Sequence, residues 1–331
     1  MYAWAGSRPQ RCVKIGVDAV AWAETQRNWR GRRRHRCAMS PLPDGVVRPS
    51  PAELNLSDLG TLEGRLRALA GPAPAWRLGG RELLKDIPRP IVLLLPDAAV
   101  RAVVLHLEQL PRRREEREAL IRWRLGQEQL FPLAGARVVS QVYGGAQAGD
   151  GQGHTVLAVA VQESVLQQYE TLCEAVGLIP QEVGLTSLQL FELWRRASGL
   201  RQWQRRDLLW ASLADRSLTT MVFQQGRLLF YRCKLLGSEA AEITADSRLL
   251  TKIVEECGAS LDACQQRHPH ALVKEAVVCA GGDLSALQAQ IEAELELSVE
   301  PLGWRAVETL GWVTRGSQPG MASLSAVAGL C

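Results

Sequence analysis

The chain has 331 residues, 47% of them apolar and 22% charged, with a formal net charge of +4. This is the composition of a folded globular protein and excludes global disorder, and because single cores rarely grow past about 250 residues, two or more compact domains are expected. No apolar run approaches the ~20 residues that span a bilayer; the N-terminal Met-Tyr-Ala-Trp-Ala-Gly-Ser-Arg lacks a basic stretch followed by an apolar core, so cytoplasmic residence is expected.

Val13 to Val20 alternates apolar with small or polar residues at first, the period of a strand. A meander of strands is predicted to continue to about Met39. Within it, Trp29-Arg-Gly-Arg-Arg-Arg-His-Arg36 places five arginines in eight positions. Two readings stand: a solvated hairpin tip around Gly31, or a contact for phosphates of nucleic acid or anionic lipid. Asn55 to Ala70 carries Leu56, Leu59, Leu62, Leu66 and Leu69 at helical spacing, and Gly71-Pro72 ends it.

Ile91 to Leu95 reads as a buried strand, and Val103, Leu105 and Leu107 as a strand with one buried face. After Pro111 a helix with Glu115 and Glu116 in its first turn is predicted to run to Phe131-Pro132. Gly144 to Gly153 is a glycine-rich loop between two strands. From Ser164 a helix presents Val165, Leu166, Tyr169, Leu172, Cys173 and Val176 on one face and stops at Gly177.

The second half repeats the pattern: Leu208 to Leu213, Leu218 to Phe223 and Arg227 to Tyr231 form three strands joined by short turns, which suggests an internal duplication. Helical spacing follows over Leu249, Ile253, Cys257 and Leu261, and again over Leu284, Leu287, Ile291 and Leu295. Between them Ala276-Val-Val-Cys-Ala runs into Gly281-Gly282.

The eight cysteines contain no Cys-x-x-Cys pair, so neither a zinc site nor a disulfide framework is indicated. His35, His106, His154, His268 and His270 show no ligand spacing, and His268-Pro-His270 reads as a solvated turn. Trp194, Trp203 and Trp210 read as packing residues.

Two repeated meanders followed by helices, with a strand ending in Gly-Gly ahead of a helix, resemble the actin and sugar-kinase fold. Leu95-Pro-Asp-Ala-Ala-Val-Arg101, Ile121-Arg-Trp123, Tyr169 to Pro180 and the closing Ala322-Ser-Leu-Ser-Ala-Val-Ala-Gly-Leu330 are similar to the PilM family of type IV pilus assembly, an FtsA-like subgroup of that superfamily. The resemblance covers nearly the whole chain and is strongest from 88 to 190. It implies an α/β, two-lobed, RNase H-like duplicated fold with an FtsA-type inserted subdomain. The implied division is 1–96 and 179–203 for the first lobe, 97–178 for the insert, and 204–331 for the second lobe, with a smaller insertion about 240–275.

In that family a nucleotide lies between the lobes. The positions matching its phosphate and adenosine loops are Asp18, Ser212, Gly281 and Gly282, a remnant nucleotide site. At the first loop Val20 replaces the glycine that lets backbone approach a phosphate, and Trp22 enters. At the second, Ser212 stands for the aspartate and Ala214 for the glycine, and Asp215 is displaced by three residues. Mg²⁺ thereby loses part of its oxygen shell. The resemblance therefore implies a scaffold at the inner face of the inner membrane that docks the tail of a PilN-like single-span protein and meets motor components. No catalytic residue, metal site or nucleic-acid partner is expected, and no cofactor is required, ATP with Mg²⁺ being the ligand the remnant could still take. The competing readings are an active ATPase or kinase, which needs a base carboxylate, and nucleic-acid binding through Arg30 to Arg36, which would weaken steeply with salt. For the partner groove, the strand near Val100 to Leu107 is the candidate.

Overall fold

The computed structural model describes residues 9–27, 33–72, 76–78, 81–84, 87–128, 131–143, 153–199, 203–237, 247–311, 313–315 and 320–331. In chain order the strands and helices are β1 (Arg11–Ile15), β2 (Ala19–Arg27), β3 (Arg33–Pro41), α1 (Leu59–Ala70), β4 (Trp76–Leu78), β5 (Arg81–Leu84), β6 (Arg89–Leu95), β7 (Arg101–Leu107), α2 (Arg114–Gln127), β8 (Ala136–Tyr143), β9 (His154–Gln162), α3 (Glu163–Glu174), β10 (Leu178–Leu185), α4 (Thr186–Ala197), β11 (Leu208–Ala214), β12 (Ser217–Gln224), β13 (Arg227–Leu235), α5 (Ser247–Arg267), β14 (Glu275–Cys279), α6 (Ser285–Leu295), β15 (Ser298–Pro301), α7 (Arg305–Thr309), β16 (Val313–Arg315) and α8 (Met321–Ala328). They form two compact units: Met1–Ala99 with Ser164–Ala197 and Trp304–Cys331, and Val100–Glu163 with Ser198–Gly303.

The first unit is built on a sheet of order β10-β6-β1-β2-β3-β16. β1, β2 and β3 are an antiparallel meander, while β6 runs parallel to β1 and β10 parallel to β6. β6 lies between two parallel neighbours, and its Ile91 to Leu95 run is buried throughout, as a strand covered on both faces requires. Asp58 accepts the Thr61 N–H at 3.0 Å and caps α1. Gly71, at φ +66°, ends that helix by donating to the Arg67 carbonyl at 3.0 Å.

Leu56, expected in this helix, lies before it. It bridges Val47, and the Leu56 and Asn55 N–H groups both donate to Gln168 Oε1, at 3.1 and 2.7 Å. Asn55 Nδ2 also reaches the buried Tyr169 hydroxyl at 3.2 Å. This polar clamp holds α3 in the first unit, whereas the sequence placed 164–178 in the insert. The C-terminal segment likewise belongs here, not with the second lobe. α8 is rich in Ala and Ser, so it sits close on β1, β2 and α4, and a Cβ on Gly329 would clash with Cys12 Sγ.

In the second unit the larger sheet has the order β13-β12-β11-β14-β15, with β11 to β13 antiparallel and β14 and β15 added in parallel. This repeats the β3-β2-β1-β6-β10 order of the first unit, the duplication expected from the sequence. α5 and α6 cover one face through Ile253, Cys257, Leu287 and Ile291, packed on Leu209, Ala211, Val222 and Val278. A separate sheet, β7-β9-β8, packs Leu105, Leu107, Val156 and Ala158 against Ile121 and Leu125 of α2. That helix ends at Gln127, short of Phe131. β13 lies alongside β7.

Candidate functional site

In the first unit, the sequence-predicted Asp18 sits in the three-residue turn Gly16-Val-Asp18 between β1 and β2. The Gly16 N–H donates to the Ala19 carbonyl at 3.0 Å, and the Asp18 carbonyl accepts from Leu42 N–H at 2.8 Å. β2 begins directly after it, so Val20 and Trp22 are strand residues rather than loop residues. They pair with Ile15 and Val13 and are 0% and 3% exposed. This corrects the expectation that Trp22 enters the loop: the turn is too short to reach it. The Arg89 guanidinium stands 5.8 Å over the Trp22 ring.

In the second unit, Ser212, Gly281 and Gly282 come together at one end of the sheet. β11 and β14 are parallel with Ser212 opposite Cys279, so Gly281 and Gly282 follow at the carboxyl ends of the strands. Ligands of open α/β sheets gather at that end. Ser212 lies inside β11, 1% exposed, and faces Thr219 across the ladder; neither hydroxyl has a hydrogen-bond partner. The β11 to β12 connection is the two-residue turn Asp215-Arg216, both at positive φ (+53° and +56°), the hand that matches hairpin twist. Gly282 takes φ +87° in the turn leading to α6. Asp283 follows, accepting the Ser285 N–H and hydroxyl at 2.9 and 2.6 Å, and these bonds hold its carboxyl below the usual range.

Two buried polar residues of the first unit were not singled out from the sequence. Asp97, 2% exposed and just beyond β6, accepts the Ser187 hydroxyl at 2.5 Å and its N–H at 3.1 Å, while the Thr186 hydroxyl donates to the Leu95 carbonyl at 3.0 Å. Together they fix the start of α4 on the end of β6. A lone aspartate after a proline reads as a turn, so only its fit to the Leu95-Pro-Asp phrase marked it. Lys14, 2% exposed in the middle of β1, is the other; its signal was a cation at a position flanked by Val13 and Ile15.

Arg30 and Arg32 lie outside the described residues. Their flanks are the paired strands β2 and β3, where Thr25 Oγ1 and His35 Nδ1 are 3.1 Å apart and Arg36 is exposed. Trp194, Trp203 and Trp210 are buried, as packing residues should be. Among the described residues no group of three or more metal-ligating side chains occurs, and no helix is long and apolar enough to cross a membrane.

No family model matches the sequence, and no curated protein does. Among solved structures, the chain is similar to one described as a PilM-PilN type IV pilus biogenesis complex, at 16% identity, covering 98% of both chains with a TM-score of 0.71. Weaker likenesses are a Bacteroides thetaiotaomicron protein with an actin-like ATPase fold and unknown function (10% identity, 94% and 98% covered, TM-score 0.45) and the cytoplasmic domain of EpsL, an inner-membrane component of the type II secretion system of Vibrio cholerae (9%, 97% and 94% covered, TM-score 0.47). With the duplicated strand order, the first of these places the chain in the actin-like fold.

Proposed function

We propose that the chain is an actin-like scaffold of type IV pilus assembly, or of a related secretion machine, that docks the cytoplasmic tail of a PilN-like single-span inner-membrane protein. The observation that carries this reading is the full-length likeness to a chain of the PilM-PilN complex. Extended tails bind such proteins through main-chain hydrogen bonds and a few side-chain pockets. β7, the strand expected to line the groove, is an edge strand of the β7-β9-β8 sheet: it pairs with β9 on one side, and β13 of the larger sheet lies nearby.

In this reading nucleotide hydrolysis has been lost, and Asp18, Ser212, Gly281 and Gly282 are the remnant of its site. Val20 and Trp22 are committed to the core, and Ser212 offers a buried hydroxyl where a carboxylate would help hold Mg²⁺. Gly281-Gly282 alone keeps the backbone freedom a nucleotide would use.

Calorimetry of the purified chain with the tail peptide of its membrane partner, with and without Mg-ATP, tests both statements. Micromolar binding unaffected by ATP is expected. ATP heat without peptide binding would favour the ATPase alternative.

A further inference from the structure

His106 in β7 and His268, just past α5, are 162 residues apart, and their Nε2 atoms stand 3.1 Å from each other with ring centroids 4.6 Å apart at 67°. Both belong to the second unit. A main-chain hydrogen bond at Leu229 favours the charged ring of His106, and histidines that bind metals ordinarily hydrogen-bond their other ring nitrogen to such a group.

We propose that His106 and His268 form a two-histidine site for a divalent ion of the zinc class, clasping β7 to the end of α5. The geometry admits the ion with little movement: two bonds of about 2.05 Å to nitrogens 3.1 Å apart enclose an angle of about 98°, between octahedral and tetrahedral values. Imidazole suits Zn²⁺ along with copper, iron and nickel ions. Because no third ligand completes a cluster among the described residues, the remaining positions are for water or an incoming group, which makes the site open rather than structural.

The surroundings set its strength. Burial holds both imidazoles below their ordinary range, for His106 followed by the charge of His268, with Arg267 and Arg227 adding to both. Metal binding needs neutral rings, so proton competition begins only below the usual histidine range. The same two arginines repel a cation, although the Arg227 side chain turns toward the Gly153 carbonyl at 3.5 Å.

Calorimetry of the full chain with ZnCl₂ at pH 7.5 should show one ion per chain. H106Q and H268Q should each weaken it at least tenfold, and H270Q, at an exposed position two residues away, should leave it unchanged. In the unaltered protein, zinc should shift the ¹⁵N resonances of both Nε2 atoms, a readout that survives if a variant misfolds. Zinc binding that persists in the H106Q/H268Q double variant, or none below millimolar, would sink the proposal and leave the pair as a plain N–H···N hydrogen bond.

Discussion

The two hairpins that open the repeated halves stand at equivalent places in the strand order and are built differently. β1 and β2 are joined by three residues, with Gly16 supplying the turn's hydrogen bond to Ala19. β11 and β12 are joined by two, and Asp215 and Arg216 both take the left-handed conformation. Strand order is fixed by burial and pairing, so it tolerates loss of sequence identity. Turn backbone is free to change once no ligand constrains it, since only particular turns aim successive N–H groups at an anion. Both turns are here tight connections between buried strands.

The harshest way to break this account is Trp22→Ala. If β2 is a core strand from Ala19 onward, removing a side chain that is 3% exposed should cost about 3–5 kcal/mol, as for other buried tryptophans. If the segment is instead a vacated phosphate loop with slack, the cost should be below about 1 kcal/mol. Urea unfolding followed by far-UV circular dichroism separates the two, with an unchanged m-value showing that only stability moved.

Asp97→Ala tests the neighbouring parallel strands of the first unit in the same way. Its carboxylate takes two bonds from Ser187, so its removal should cost about 2–3 kcal/mol and loosen the start of α4. Hydrogen exchange should show amides near Ser187 losing protection before those of β6. Equal protection in both would mean that the aspartate merely fills space.

Much of this was legible in the sequence because it depended on periodicity. The alternation after Val13 marked β1 and β2, and the Val165 to Val176 face marked α3. Three runs from Leu208 foretold the second meander. What escaped depended on contacts between distant segments. Leu56 continues the helical leucine spacing, yet the hydrogen bonds that the Asn55 and Leu56 N–H groups donate to Gln168 Oε1 draw the chain out of the helix at Asn55. α8 carries only apolar residues and two serines and has no charged face, so its sequence says that it is buried and not against which sheet. At the proposed remnant site, Gly281-Gly282 was visible as a strand-to-helix turn, whereas the enclosure of Ser212 beside Thr219 required the β11 to β12 register.

That register makes the second hairpin the finer instrument. Arg216 holds φ +56°, where a side chain is strained and glycine is not. Asp-Gly is also a preferred pair for a two-residue hairpin turn. Arg216→Gly should therefore stabilise the protein by about 1 kcal/mol. A loss instead would show that the Arg216 side chain contributes more than its backbone strain costs, and that this turn is under selection for something besides connecting strands.

Ser212→Ala should have the smallest effect and discriminates most directly between a remnant site and a working one. The hydroxyl is buried without a partner, so deleting it removes an uncompensated polar group and should change stability by less than about 1 kcal/mol, in the stabilising direction. A ligand held by that hydroxyl would reverse the sign whenever it was present, because binding to the folded state adds stability that the alanine variant would lack. Melting both proteins with and without Mg-ATP exposes the difference: superimposable shifts are expected, and a rise in melting temperature confined to the serine protein would return Ser212 to the chemistry of a nucleotide.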